Sequence, residues 1–270
     1  MPAEPPERIP LPVIHLSAVI SDPEASATAD VRMTVGGRPV HLRLTVPTGP
    51  TAVRDLLPLF HGLDNVVVNI AEAAVEQAGE HISCRAGCGA CCRQIVPISE
   101  SEAHAVKQLV DNLPELRRTV VRERFAEGVK RMAAAGLLKR MRHIERETNA
   151  IVLGLDYFRV GVPCPFLEDE SCSIHPDRPL ACREYMVTSP AEYCAKQEPG
   201  TVRGVSIPAE VSRAVRAVDK GSSPVGWVPL LLALDWADGH APPPVTQTGP
   251  AMVQQVFARL TGQTPPAVPT

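Results

Sequence analysis

All eight cysteines of this 270-residue chain fall between positions 84 and 194, in two groups. The first group is Cys84-Arg85-Ala86-Gly87-Cys88-Gly89-Ala90-Cys91-Cys92-Arg93. The second is Cys164-Pro165-Phe166-Leu167, Cys172-Ser173-Ile174-His175, Arg178-Pro179-Leu180-Ala181-Cys182-Arg183, and finally Cys194. Between them, residues 93–163 contain no cysteine and read as helices. Any fold this chain adopts has to bring two thiol sets together across a helical insertion. Three chemistries compete for such a set. Disulfides suit an even count, but the vicinal pair, the short Cys88-x2-Cys91 spacing and the lack of a secretory leader pattern at Met1–Arg8 speak against them. Scattered buried thiols do not cluster this tightly. Metal or cluster ligation remains, because a tight turn with Cys-x2-Cys spacing aims two thiolates at one ion.

Local chemistry supports that expectation. Gly87 and Gly89 permit the positive φ angles and close backbone approach that a ligand turn needs. Cys91 and Cys92 are adjacent. In an extended backbone their side chains would point to opposite sides, so one of them stands behind the ligands or is redox-active, or two metals lie close together. Arg85, Arg93, Arg178 and Arg183 flank the cysteines and are candidates for offsetting thiolate charge and lowering thiol pKa values. His175, three residues after Cys172, is a further but weaker candidate for a nitrogen ligand or a proton carrier.

The rest of the chain reads as mainly α with a small N-terminal β-hairpin, an α+β arrangement in which metal nucleates the cysteine-cluster domain. Residues 1–25 are expected to be extended. Residues 26–83 should hold the hairpin, with alternating apolar positions at 31–35 and 40–46 on either side of Gly36-Gly37, followed by two helices at about 51–61 and 65–77. The cysteine-cluster domain is expected over 84–200, with its helical insertion at about 99–155. Ser99-Glu100-Ser101-Glu102 has the form of a capping box, so a helix should start there. Residues 201–270 should form short helices near 208–218, 229–237 and 252–260, ending in a proline-rich tail. Prolines number 28, about twice the usual share of about 5%, and crowd the two ends.

Charge excludes more than it suggests. The net value is -3. Residues 101–150 are weakly basic, but no basic block with interleaved aromatics stands there. The simplest reading is a solvated helical surface laced with ion pairs, and nucleic-acid binding is not expected. The most apolar stretch, Trp227–Ala237, is too short for a membrane span. A soluble, cytoplasmic protein is therefore expected, with no membrane partner.

The order Cys-x3-Cys-x2-Cys-Cys, helical insertion, Cys-Pro-Phe-Leu, Cys-Ser-Ile-His, Arg-Pro-Leu-Ala-Cys-Arg and a last Cys resembles the YkgJ-type cysteine-cluster family, described as a zinc- or iron-chelating domain. Flagellin lysine N-methylase is a relative in that family. The resemblance covers about residues 84–194. It implies that Cys84, Cys88, Cys91, Cys92, Cys164, Cys172, Cys182 and Cys194 are the metal ligands. It leaves open an iron–sulfur cluster or zinc. Zinc takes four ligands, so two ions would use all eight. The methylase relative points instead to a cluster. It also raises a cluster-dependent S-adenosylmethionine methyltransferase acting on a protein lysine as an alternative to a metal-binding module. A structural zinc module is a second alternative. Whether the chain is an enzyme stays open. Cys84-x3-Cys88-x2-Cys91 also matches the signature of radical S-adenosylmethionine enzymes, but Ala90 stands where those carry an aromatic residue, and no βα barrel pattern is visible. No Gly-x-Gly-x-x-Gly loop, Walker loop or His-Glu-x-x-His helix appears.

Overall fold

A computed structural model describes residues 12–196, 200–219 and 221–262. The chain is mainly helical with a small N-terminal sheet. Residues 1–11 and 263–270, expected to be extended, lie outside the described residues.

The hairpin forms where the alternation places it. Strands β2 (Ser26–Val35) and β3 (Arg38–Pro47) pair antiparallel, after a short strand β1 (Val13–Ser17). Gly36 and Gly37 make the turn with φ of 55° and 78°, the doubly left-handed geometry of a tight two-residue hairpin. Strand β1 adds parallel to the other edge of β3, giving the order β1-β3-β2. Val40, Leu42, Leu44 and Val46 point to one buried face.

That face packs on α1 (Val53–Gln77), through Leu56, Leu59, Phe60, Leu63 and Val67. Here the structure corrects the sequence reading, because α1 is one helix and not two. Pro58 lies on its exposed side. The hydrogen bond that Pro58 removes belongs to the carbonyl of Arg54, itself on the solvent side, where water can take its place.

The second group of helices follows. A two-residue strand β4 (Pro97–Ile98) leads into α2 (Glu100–Asp111) and α3 (Glu115–Ala134), then short α4 (Leu138–Arg142) and α5 (Ala150–Val160). The expected capping box is present. Ser99 Oγ accepts from the Glu102 N–H at 3.2 Å, and Glu102 Oε2 accepts from the Ser99 N–H at 2.8 Å. Val106, Val110, Val121, Phe125, Met132, Leu153 and Tyr157 build a second core, with Phe125 and Phe166 edge to face at 5.5 Å. The basic surplus of this segment is largely paired. Arg124 and Arg117 meet Glu168, Arg122 and Lys107 meet Asp111, and Arg140 bridges Glu147 and Asp156.

After the insertion come the tiny hairpin β5 (Leu167–Glu168) and β6 (Ser171–Cys172), then α6 (Leu180–Arg183) and α7 (Ala191–Cys194). The C-terminal portion returns to both cores. Helices α8 (Val211–Val218) and α10 (Gly249–Leu260) complete the first core against α1 and β3. Strand β7 (Val228–Pro229) and α9 (Ala233–Gly239) pack into the second. Among the described residues, no helix is long and apolar enough to cross a membrane.

Candidate metal centre

The cysteines lie along the seam between the two cores. Leu180, next to Ala181-Cys182, is buried in the first core; Phe166 and Ile174, next to Cys164 and Cys172, are buried in the second. The elements that carry the thiols are short and held by local bonds. Gly87 adopts φ 81°, its N–H donating to Ser171 Oγ at 3.1 Å. A Cβ at Gly89 would meet the Leu167 side chain at 2.7 Å and the Glu170 Cα at 3.2 Å, so only glycine lets the first cysteine loop lie against the β5–β6 hairpin. Arg93 clamps the same contact from the other side. Its guanidinium donates to Gly89 O at 2.9 Å and to both Glu170 oxygens at 2.9 and 2.6 Å.

Residues 90–93 form a 3-10 turn. This corrects the expectation of an extended backbone at the vicinal pair. The Cys92 N–H bonds to Gly89 O at 3.0 Å and the Gln94 N–H to Cys91 O at 3.1 Å, which curls the chain. Adjacent side chains then stand near each other, and the Cys91 and Cys92 thiols are hydrogen-bonded. The second group joins directly, since the Cys164 N–H donates to Cys92 O at 2.6 Å. The two cysteine groups, separated by more than seventy residues, thus meet through the main chain.

Cys91, Cys92, Cys164, Cys172 and Cys182 line one cavity of about 150 Å³. Its other walls include Ile95, Phe166, Ile174 and Leu230, with Arg178 and Tyr185 as polar members. Cys84, Cys88 and Cys194 are not among the residues that line it. Helix α7, which ends in Cys194, packs against the 90–93 turn. The Ser83 N–H donates to Val187 O at 2.9 Å, which holds Cys84 to the segment leading into α7.

Burial and charge act on the thiols in opposite senses. Burial pushes the Cys164 thiol up to about 12, and burial also raises Cys182, Cys172, Cys84 and Cys194. The Cys91–Cys92 hydrogen bond favours ionising Cys91 and holds the proton on Cys92. Arg178 favours the thiolates of Cys84, Cys91 and Cys172, and its Nε is buried without a partner. Arg183 feels the charge of the neighbouring Cys182 and has a structural role besides. It is buried and donates to Asn65 Oδ1, to Arg178 O and to Pro176 O, fastening α6 to α1. His175 is exposed and next to Arg178, whose charge lowers its pKa.

Sequence reasoning missed a buried carboxylate layer behind the thiols. Glu102 Oε1 accepts from the Leu180 N–H at 2.8 Å, so the capping-box carboxylate also fixes the start of α6, two residues before Cys182. Glu100 accepts from the N–H groups of Gly221, Ser222 and Ser223 at 3.2, 2.9 and 2.8 Å. Asp64 is fully buried beside Glu184, and burial followed by the Glu184 charge raises its pKa. The available signal for Asp64 was a carboxylate at helical spacing from Phe60 and Val67, on the apolar stripe of α1.

Among the described residues, no three histidine, cysteine, aspartate or glutamate side chains already close on a single point. The thiols are gathered, not clenched. The donor set itself fits a thiophilic centre: five cysteines line one apolar-walled cavity, with the unpartnered Nε of Arg178 among its walls.

The fold and the gathered thiols are those of a mainly helical, cysteine-rich domain. Residues 83–199 match the CxxCxxCC family, described as a putative zinc- or iron-chelating domain, and this is the cysteine-cluster family that the spacing resembles. No curated protein and no solved structure matches the chain.

Proposed function

We propose that this protein binds an iron–sulfur cluster through cysteine thiolates, in the cavity where the two cores meet. The observation that carries this reading is the cavity itself. Zinc draws four thiolates to about 2.3 Å and leaves no void among them. A cavity of about 150 Å³ that Cys91, Cys92, Cys164, Cys172 and Cys182 line together with apolar walls leaves room for a larger inorganic core. Clusters take cysteine ligands, and their potentials respond to burial and to hydrogen bonds at sulfur. The walls supplied by Phe166, Ile174 and Leu230 provide the burial. Arg178 is placed to supply charge and an N–H donor. When bound, the cluster would provide one-electron chemistry or a rigid crosslink. The chain's own residues bind it, exclude water and neutralise its charge.

The test is anaerobic purification followed by iron and sulfide analysis and a visible spectrum. The expected result is a brown protein absorbing near 400 nm, with iron and sulfide in equal amounts. A colourless protein with stoichiometric zinc would overturn the cluster reading in favour of a zinc module.

A further inference from the structure

Strand β2 forms one edge of the three-stranded sheet, and among the described residues no strand pairs with its outer side. It runs for ten residues, against five for β1 at the other edge. Sheet edges are usually blunted by shortness, proline, bulges or charge. β2 contains no proline, and its register with β3 runs unbroken from Ser26 to Val35. The ladder has a defined phase. Val35 and Arg38 flank the two-residue Gly36-Gly37 turn, so they exchange main-chain bonds, and every second residue of β2 from there bonds inward. The phase holds at the far end, where the Thr48 N–H donates to Ala25 O at 2.8 Å. The intervening residues, Thr28, Asp30, Arg32 and Thr34, therefore aim their N–H and C=O groups away from β3. The side chains between them, Ala27, Ala29, Val31 and Met33, share the face of Leu42 and Leu44 and line an open apolar groove with Val253 and Phe257 of α10.

We propose that the free edge of β2 is a dimer interface: two copies of this chain join β2 to β2, antiparallel, about a twofold axis at Val31. The charge pattern selects both the occupant and the register. Outward main-chain groups meet only when Thr28, Asp30, Arg32 and Thr34 of one copy face the same set on the other. Centring the pair on Asp30 would set Asp30 against itself, and centring it on Arg32 would set Arg32 against itself. Centring it on Val31 sets each Asp30 against Arg32 of the second copy, and each Thr28 against Thr34, across hydrogen-bonded pairs. The two charges of the strand are thus complementary to a second copy of themselves. Both are free to pair. Arg32 is exposed, and among the described residues it has no ion-pair partner. Asp30 binds His41 and Arg43 within its own chain, yet its side chain stays 48% exposed. On the other face the same register sets Val31 against Val31 and Ala29 against Met33, which carries the apolar groove on into the second copy.

The experiment is sedimentation equilibrium on the full chain in reducing buffer, from micromolar to submillimolar concentration, with peptide-resolved amide exchange on the same samples. The wild type should pass from monomer to dimer, and exchange in peptides spanning 26–35 should slow as the dimer fills. Arg32→Asp sets two pairs of like charges face to face and should raise the dimer dissociation constant about tenfold or more, whereas Arg32→Lys should keep it within about threefold. Thr34→Pro removes an outward N–H, leaves the β2–β3 ladder its bonds, and should abolish the dimer. If Thr34→Pro does not fold, Arg32→Asp decides the matter, because Arg32 is exposed and pairs with nothing in its own chain. A wild type that stays monomeric over the whole range overturns the proposal. So does a dimer that Arg32→Asp leaves intact, or one whose 26–35 peptides exchange as fast as in the monomer.

Discussion

Single side chains at the seam do work that their types alone would not indicate. His61 sits on α1 with its Nε2 buried and unpartnered, and burial followed by the Arg183 charge lowers its pKa to about 4. The folded state therefore holds His61 neutral over a range where the unfolded chain, titrating near 6.5, binds a proton. A lowered folded pKa contributes stability that is present above about 6.5 and is lost as pH falls toward 4. His61→Gln removes that loss. In urea unfolding at pH 7, 6, 5 and 4, the wild type should lose up to about 1.4 kcal/mol per pH unit more than the variant. Parallel acid slopes would show that His61 is protonated in the fold. Residues of this kind are poorly legible in sequence. The eight cysteines announced themselves by spacing, and Arg178 by the signature around it. Nothing local distinguished Arg178, which faces the thiols, from Arg183, which turns to α1.

At the scale of elements, legibility followed the range of the interaction that decides each one. The β2–β3 hairpin and the Ser99 cap were readable because their determinants lie within a few residues: Gly36-Gly37 between two alternating runs, and a hydroxyl three residues before a carboxylate. The unity of α1 was not, because it depends on which side of the helix Pro58 faces. The pairing of β1 with β3 depends on a neighbour about 28 residues away, and its short apolar run carries no mark of its partner. The second role of Glu102, reaching Leu180 78 residues on, was invisible for the same reason. That role separates two variants. Ser99→Ala removes a cap acceptor and should cost about 1 kcal/mol. Glu102→Ala strands the N–H groups of both Ser99 and Leu180 in a buried place and should cost about 2–5 kcal/mol. Urea midpoints compare them directly. Equal costs would mean that the start of α6 does not depend on Glu102.

The whole molecule consists of two apolar cores whose segments interleave along the chain. The first joins β1–β3 and α1 to α8 and α10, from the two ends of the sequence; the second joins α2–α5 to the 228–234 segment. The thiols occupy the seam, with Cys84 following α1, Cys164 and Cys172 bordering the second core, and Cys182 fixed beside the first. A metal bound there links both cores at once. Structural thiolate sites contribute on the order of 10 kcal/mol to the folded state. The most direct measurement is therefore thermal unfolding of the metal-loaded protein before and after chelation under reducing conditions. Removal of the metal should lower the transition by more than about 10 °C and expose the seam first in hydrogen exchange. A transition left unmoved, with seam amides as protected as before, would contradict the claim that metal at these cysteines joins the two halves of the fold.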